Sequence, residues 1–212
     1  MKNKHLDINN VENDLLELMP KAGEVILKYW LQKNIPTRNK SRIDIVTVAD
    51  LEADRFITQS LRLQYPHIPI LSEETAPADY SSYKDMDFLW IIDPLDGTAN
   101  FSRGDSNFCI SAALVSYGKP KIGVIYKPVE KLLYFARESG SGSLLNGNKI
   151  EISKITDMSE AVICTDWSHK SETHKETIGF LEKMIGKVKQ IKITGSGAAN
   201  LAQVAQGKAD LY

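Results

Sequence analysis

The chain has 212 residues, near the usual size of one domain, with the composition of an ordinary globular protein. Its net charge of −1 and the lack of a basic run exclude an electrostatic footprint for nucleic acid or an anionic membrane surface. No apolar stretch approaches bilayer-spanning length, and the polar start Met1-Lys2-Asn3-Lys4-His5 has no signal-peptide block, so a cytoplasmic protein is expected.

Ile8, Val11, Leu15, Leu18, Met19, Ala22, Val25, Ile26, Tyr29 and Trp30 recur at intervals of three and four, which predicts a helix with one buried face. Pro20 lies inside it and should kink or restart it. Residues 34–43 are polar and read as a mobile loop. Ile45-Val46-Thr47 is a short extended piece, and Thr47 with Asp50 fits a helix start. Ala53, Phe56, Ile57 and Leu61 then mark the buried stripe of a second helix, which ends before Pro66. Ile68-Pro69-Ile70-Leu71 reads as a strand leading into Ser72-Glu73-Glu74. After a loop rich in Pro, Ala, Ser and Tyr comes the next strand, residues 88–92.

Residues 108–116, 121–126 and 131–136 are three further strands separated by turn signals, an antiparallel meander. Residues 140–147 are a Gly/Ser-rich turn region. Beyond them the pattern predicts a strand at 161–164 and a helix marked by Ile178, Leu181, Met184, Ile185 and Val188, started by Thr173 with Glu176. A strand at 191–193 follows, then a small-residue helix opened by Gly195-Ser196-Gly197-Ala198-Ala199, and a strand beginning at Ala209. The class is α+β, one domain over 1–212, with a first lobe to about residue 150 and the start of a second over about 151–212. Cys109 and Cys164 lie in apolar runs and read as buried thiols. The four histidines show no zinc-motif spacing.

The chemistry concentrates in Trp90-Ile91-Ile92-Asp93-Pro94-Leu95-Asp96-Gly97-Thr98-Ala99-Asn100-Phe101. Two carboxylates end an apolar strand, and they repel unless a positive charge sits between them. A hard divalent cation takes oxygen ligands and suits that place. Pro94 stiffens a turn that can aim both carboxylates and the Leu95 carbonyl at one point. Gly97 permits close backbone approach, and a helix opening near Thr98 would offer N–H groups to phosphate. Glu73 follows another strand and reaches the same crevice if the two strands are neighbours. Strand alternation sends Glu73 and Glu74 to opposite faces, so at most one is a direct ligand.

Ser72-Glu73-Glu74 and the segment from Trp90 to Phe101 resemble the two N-terminal signatures of the inositol monophosphatase family, which are magnesium-dependent, lithium-sensitive phosphomonoesterases. Asp44-Ile45-Val46-Thr47-Val48-Ala49-Asp50 and the later Gly195-Ser196-Gly197-Ala198-Ala199-Asn200 are similar to further segments of that family. The resemblance implies a layered αβαβα sandwich of the sugar-phosphatase type and a homodimer. It implies that Glu73, Asp93 and the Leu95 carbonyl hold one Mg2+, and that Asp93 bridges to a second, which Asp96 also ligates. Glu73 and Thr98 would orient a water activated by the metal, with Asp50 supporting Thr98 by a hydrogen bond. Gly97 and Thr98 amides would hold phosphate, Lys40 would assist, and Ser196 and Gly197 would approach the rest of a small phosphate ester.

The family pattern continues past the equivalent of Tyr212, with a Glu that contacts substrate and a Trp-Asp-x-Ala-Ala-Gly segment that completes the second metal site. These 212 residues hold no such segment, since Asp166-Trp167 has the reverse order. The expectation is an incomplete C-terminal lobe, either a portion of a longer protein or a naturally short relative, with weak hydrolysis. The leading activity is hydrolysis of inositol monophosphate or a similar polyol phosphate. The alternatives are a 3′(2′),5′-bisphosphate nucleotidase and a non-catalytic regulator that binds transcription machinery.

Overall fold

The computed structural model describes residues 6–30, 32, 37–39, 45–140, 142–167 and 173–212, with residues 37–39 and 45 described by their backbone alone. Helix α1 (Ile8–Trp30) buries Val11, Leu15, Leu18, Met19, Ala22, Gly23 and Ile26 along one stripe. It runs through Pro20 as one helix, so of the expected kink or restart the restart does not occur. An interior proline costs about 3 kcal/mol. Buried side chains on both sides of it, each worth roughly 1.5–3 kcal/mol, outweigh that loss. Near its end α1 closes on the large sheet, where a Cβ added to Gly23 would lie 2.5 Å from the Tyr126 ring.

Strands β1 (Thr37–Asn39) and β2 (Ile45–Thr47) pair antiparallel, so the polar segment read as a loop contains a strand. Hairpin pairing with β2 supplies hydrogen bonds that local polarity did not foretell. Helix α2 (Val48–Gln64) starts directly at Thr47 and packs beside α1. Its buried residues include Ala53, Ile57 and Leu61 of the predicted stripe, with Phe56 only partly buried, and also Asp50 and Asp54.

A seven-stranded sheet carries the core. Its order is β3 (Ile70–Ser72), β4 (Leu89–Asp96), β5 (Cys109–Ser116), β6 (Lys119–Lys127), β7 (Leu132–Arg137), β8 (Leu144–Leu145) and β9 (Asn148–Lys149). Strands β3 and β4 are parallel, and from β4 onward the sheet is the expected antiparallel meander. Trp90, Ile92, Ile110, Ala112, Leu114, Ile122, Val124, Tyr126 and Phe135 project into one core with the α1 and α2 stripes. Their spacing by two puts Asp93, Ser111, Ile125 and Tyr134 on the opposite face.

That opposite face is covered by α5 (Gly197–Ala205), which touches β4, β5 and β6 on one side and β10 (Val162–Thr165) on the other. Just past α5, Gln206 Nε2 donates to the Tyr134 hydroxyl at 2.8 Å. Strand β10 pairs in parallel with β11 (Gln190–Ile193), with α4 (His174–Met184) as the crossover. Leu211 bridges to Ile163 in β10, where the sequence pattern begins a strand. Helix pair, large sheet, α5 and small sheet therefore stack as αβαβ, the first four layers of the expected αβαβα sandwich.

Candidate active site

The site lies where β3, β4 and the start of α5 meet the first turn of α2. Thr47 caps α2: its hydroxyl accepts from Ala49 N at 3.1 Å, and its own N–H donates to Asp50 Oδ2 at 2.8 Å. This reciprocal cap pins the Asp50 carboxylate in the interior, where it is 1 % exposed. The other Asp50 oxygen lies 2.9 Å from the Thr98 hydroxyl, which also sits 3.0 Å from the Leu95 carbonyl. One hydroxyl proton faces two acceptors, so proton placement on Asp50 decides which one Thr98 serves. Burial pushes the Asp50 pKa above the usual carboxylate range, against the bonds from Thr47 and Thr98 that lower it.

Glu73 comes to this point through strand register. Ser72 pairs with Ile92 in the parallel β3–β4 ladder, so the next residues, Glu73 and Asp93, leave the ladder side by side. Their carboxyl groups are in hydrogen-bonding contact. Burial first, then Glu73, then Asp96 drive the Asp93 pKa well above the usual range. Glu73 opens a short 3-10 turn (Glu73–Thr75), so the strand alternation expected to separate it from Glu74 does not operate there.

Asp96 reaches the same face by a β-bulge. Asp93 pairs with Ser111 and Asp96 with Cys109, so Pro94 and Leu95 together oppose Ile110. Strand β4 does not end at Asp93 in a rigid turn; it runs on, bulged, to Asp96. Leu95, 2 % exposed, drops into the core beneath α1 and α2. Asp96 Oδ2 accepts from Ser196 Oγ and Ala198 N, both at 2.7 Å, at the N-terminus of α5. Cys109 Sγ lies 3.7 Å from the same oxygen. Burial raises the Asp96 pKa, and the Ser196, Ala198 and Gly197 donors pull against it.

Next to Asp96 the backbone turns at Gly97, with φ of 96°, into the single-turn helix α3 (Thr98–Ser102). A Cβ there would lie 2.9 Å from the Asn107 carbonyl oxygen, so only glycine fits. Oxygen donors with an excess of negative charge suit a hard cation such as Mg2+. Among the described residues no three Asp, Glu, His or Cys side chains form a ready metal cluster. Glu73 and Asp93 already touch, while Asp96 is held by α5.

The inositol monophosphatase family model matches residues 7–212. The chain is 36 % identical over 197 residues to a fructose-1,6-bisphosphatase/inositol-1-monophosphatase of Thermotoga maritima, covering 93 % of this chain and 72 % of that protein. It belongs to the inositol monophosphatase family. A Vibrio cholerae relative named Nus factor SuhB is 34 % identical, with 91 % of this chain and 71 % of that protein covered. The fold matches the crystal structure of the extragenic suppressor protein suhB from Bartonella henselae with a TM-score of 0.85 and 31 % identity, covering 94 % of this chain and 76 % of that one. As a family member the chain is a phosphoric monoester hydrolase.

The residues expected from the family resemblance fall unequally. Asp50, Glu73, Asp93, Leu95, Asp96, Gly97 and Thr98 meet at one place. Ser196 turns its hydroxyl to Asp96 and caps α5 through Ala199 N, while Gly197 lies against the Tyr212 hydroxyl. Lys40 lies outside the described residues. Both cysteines are free and buried, as expected. Sequence reading missed Asn100, whose side-chain nitrogen donates at 2.7 Å to the Asn107 and Thr194 carbonyls and so ties the α3 turn to the loop before α5. It also missed Asp166, which accepts from Gly195 N at 2.6 Å and Asn200 Nδ2 at 2.7 Å. Partners this distant along the chain leave no local spacing signal.

Proposed function

We propose that the chain hydrolyses a small polyol or sugar monophosphate of the inositol monophosphate type, with Mg2+ as its cation. The observation that carries this reading is the Glu73–Asp93 contact, two carboxyl groups packed together at the ends of neighbouring parallel strands beside a third, Asp96. Glu73, Asp93 and the Leu95 carbonyl would hold one ion, and Asp93 with Asp96 a second. When bound, the metal lowers the pKa of a water and offsets charge on the leaving oxygen. The chain's own groups do the positioning. Thr98, its proton directed to Asp50 or Leu95, would keep lone pairs for the water, and Glu73 would help to orient it. Gly97 and Thr98 open α3, whose first amides have no partner within the helix and would bind phosphate oxygens. Ser196 is buried with its hydroxyl on Asp96, so by the family resemblance it would act on the rest of the ester through the backbone it shares with Gly197.

The test is turnover on inositol monophosphate and on adenosine 3′,5′-bisphosphate, with and without Mg2+. Mg2+-dependent hydrolysis of the inositol ester is expected; preference for the nucleotide would move the reading to the bisphosphate nucleotidase alternative. A second reading, a regulatory binding role, draws on the relative named Nus factor SuhB. A cellular phenotype that survives Asp93→Asn would favour it.

A further inference from the structure

Helix α2 carries two buried carboxylates one turn apart, Asp50 and Asp54, at 1 % and 8 % exposure. Like charges at this spacing repel, and burying a carboxylate is costly unless something bonds to it. Nothing in the packing of α2 requires either, since Ala49, Ala53, Ile57 and Leu61 already supply its core face. Asp50 has its use in the Thr98 hydroxyl. Asp54 accepts a hydrogen bond from the Ser72 hydroxyl, and Ser72 is fully buried. Ser72 is the last residue of β3 and stands opposite Ile92; Glu73 follows at the first position of the 3-10 turn, beside Asp93. The bond therefore falls where the chain leaves the ladder and aims Glu73.

We propose that Asp54 is a positioning residue that fixes Glu73 through Ser72, the counterpart of Asp50 fixing Thr98. One helix turn would then set both groups placed around the attacking water, each through a buried carboxylate-to-hydroxyl bond. The inference rests on the phosphatase reading above, because it gives Glu73 its part in binding Mg2+. It goes further in assigning work to Asp54 and Ser72.

The test is a Mg2+ titration of the 212-residue chain, read as the rise in melting temperature, on wild type, Ser72→Ala, Ser72→Thr and Asp54→Asn, with turnover measured beside it. Loss of a group that orients a metal ligand costs about 10- to 100-fold in metal affinity or activity. Ser72→Ala and Asp54→Asn are expected to need about tenfold more Mg2+ for the half-maximal shift, with kcat/KM reduced by a similar factor. Ser72→Thr, which keeps the hydroxyl, should titrate with wild type. If Ser72→Ala and Asp54→Asn titrate at the wild-type Mg2+ concentration, whatever their metal-free melting temperatures, the pair is packing alone and the inference is wrong. Should Asp54→Asn fail to fold, Ser72→Ala decides, since it removes one hydroxyl and no volume of consequence. A wild type with neither a Mg2+ shift nor turnover would sink the phosphatase reading itself, and this inference with it; a wild-type shift beside unmoved variants sinks the inference alone.

Discussion

Asp93 and Asp96 share one face of the central sheet although they are three residues apart. In a regular strand that separation puts side chains on opposite faces. The bulge at Pro94-Leu95 inserts one residue against Ile110, returns Asp96 to the side of Asp93, and sends Leu95 into the core. Pro94 fits there because a bulge leaves a residue out of the ladder and a proline has no N–H to lose. Two carboxylates crowded by this device repel each other at a cost to the fold that a bound cation would offset, and the first two predictions rest on that conflict.

Asp93→Asn removes the charge that burial and Glu73 both oppose. Its metal-free melting temperature at neutral pH is expected to exceed wild type by a few degrees. Its Mg2+-induced shift should vanish, and turnover should fall about a hundredfold or more. Thermal melts with chelator and with millimolar Mg2+ check both halves. A variant less stable than wild type without metal would contradict the electrostatic account.

The same conflict fixes a pH dependence. Asp50, Asp93 and Asp96 all have raised pKa values, chiefly through burial. Between the ordinary aspartate pKa and the raised one, the folded state binds more protons than the unfolded state. Stability from these groups is therefore complete below the ordinary value and is lost as pH rises through the raised values. The melting-temperature advantage of Asp93→Asn over metal-free wild type should grow as pH increases from about 4 to about 8. Saturating Mg2+ should remove the trend in wild type, because the metal competes with protons for the same oxygens. A difference that shrinks with rising pH would reverse the sign argued here.

Thr98→Val keeps the shape and removes the hydroxyl that joins Asp50 to the Leu95 carbonyl. A drop in kcat of about 100-fold or more is expected, the range lost with a group that positions a proton transfer. Thr98→Ser should recover most of the rate. Equal kcat in Thr98→Val and wild type would remove Thr98 from the mechanism.

Gly97→Ala tests the backbone at the start of α3. Holding an L-residue in the left-handed region costs about 1–2 kcal/mol. The added Cβ also meets the Asn107 carbonyl at 2.9 Å and Phe108 Cα at 3.2 Å, both backbone atoms. Lower stability and loss of turnover are expected together, since relief requires moving the residue next to both Asp96 and Thr98. Chemical denaturation and a phosphate-release assay read the two effects.

Asn100→Asp replaces a donor with an acceptor in front of the Asn107 and Thr194 carbonyls. Leaving two carbonyls facing a carboxylate is expected to destabilise the protein by about 2–3 kcal/mol. Amide exchange should rise in α5 and the loop before it more than in α1. Uniform loosening of both would show that Asn100 does not specifically hold that loop.

Much of this was legible in the sequence because it is written in local spacing. The α1 and α2 stripes, the Thr47–Asp50 cap and the meander all follow from periods of 3.6 and 2 and from turn residues. At Pro20 local propensity left room for a restart that does not occur, because tertiary burial outweighs a single lost bond. The strand at Thr37–Asn39 was hidden because its pairing lies in β2, not in its own composition.

The family, the α+β class and the identity of the acids at the strand ends can be read along the chain, because a motif such as Asp93-Pro94-Leu95-Asp96-Gly97-Thr98 is contiguous. Which of those groups meet follows from packing between distant segments. The β3–β4 register set Glu73 against Asp93, the bulge turned Asp96 to the same side, and α5 brought Ser196 and Ala198 onto its carboxylate from a hundred residues away. Such contacts depend on register and packing between distant segments, and no local period encodes them.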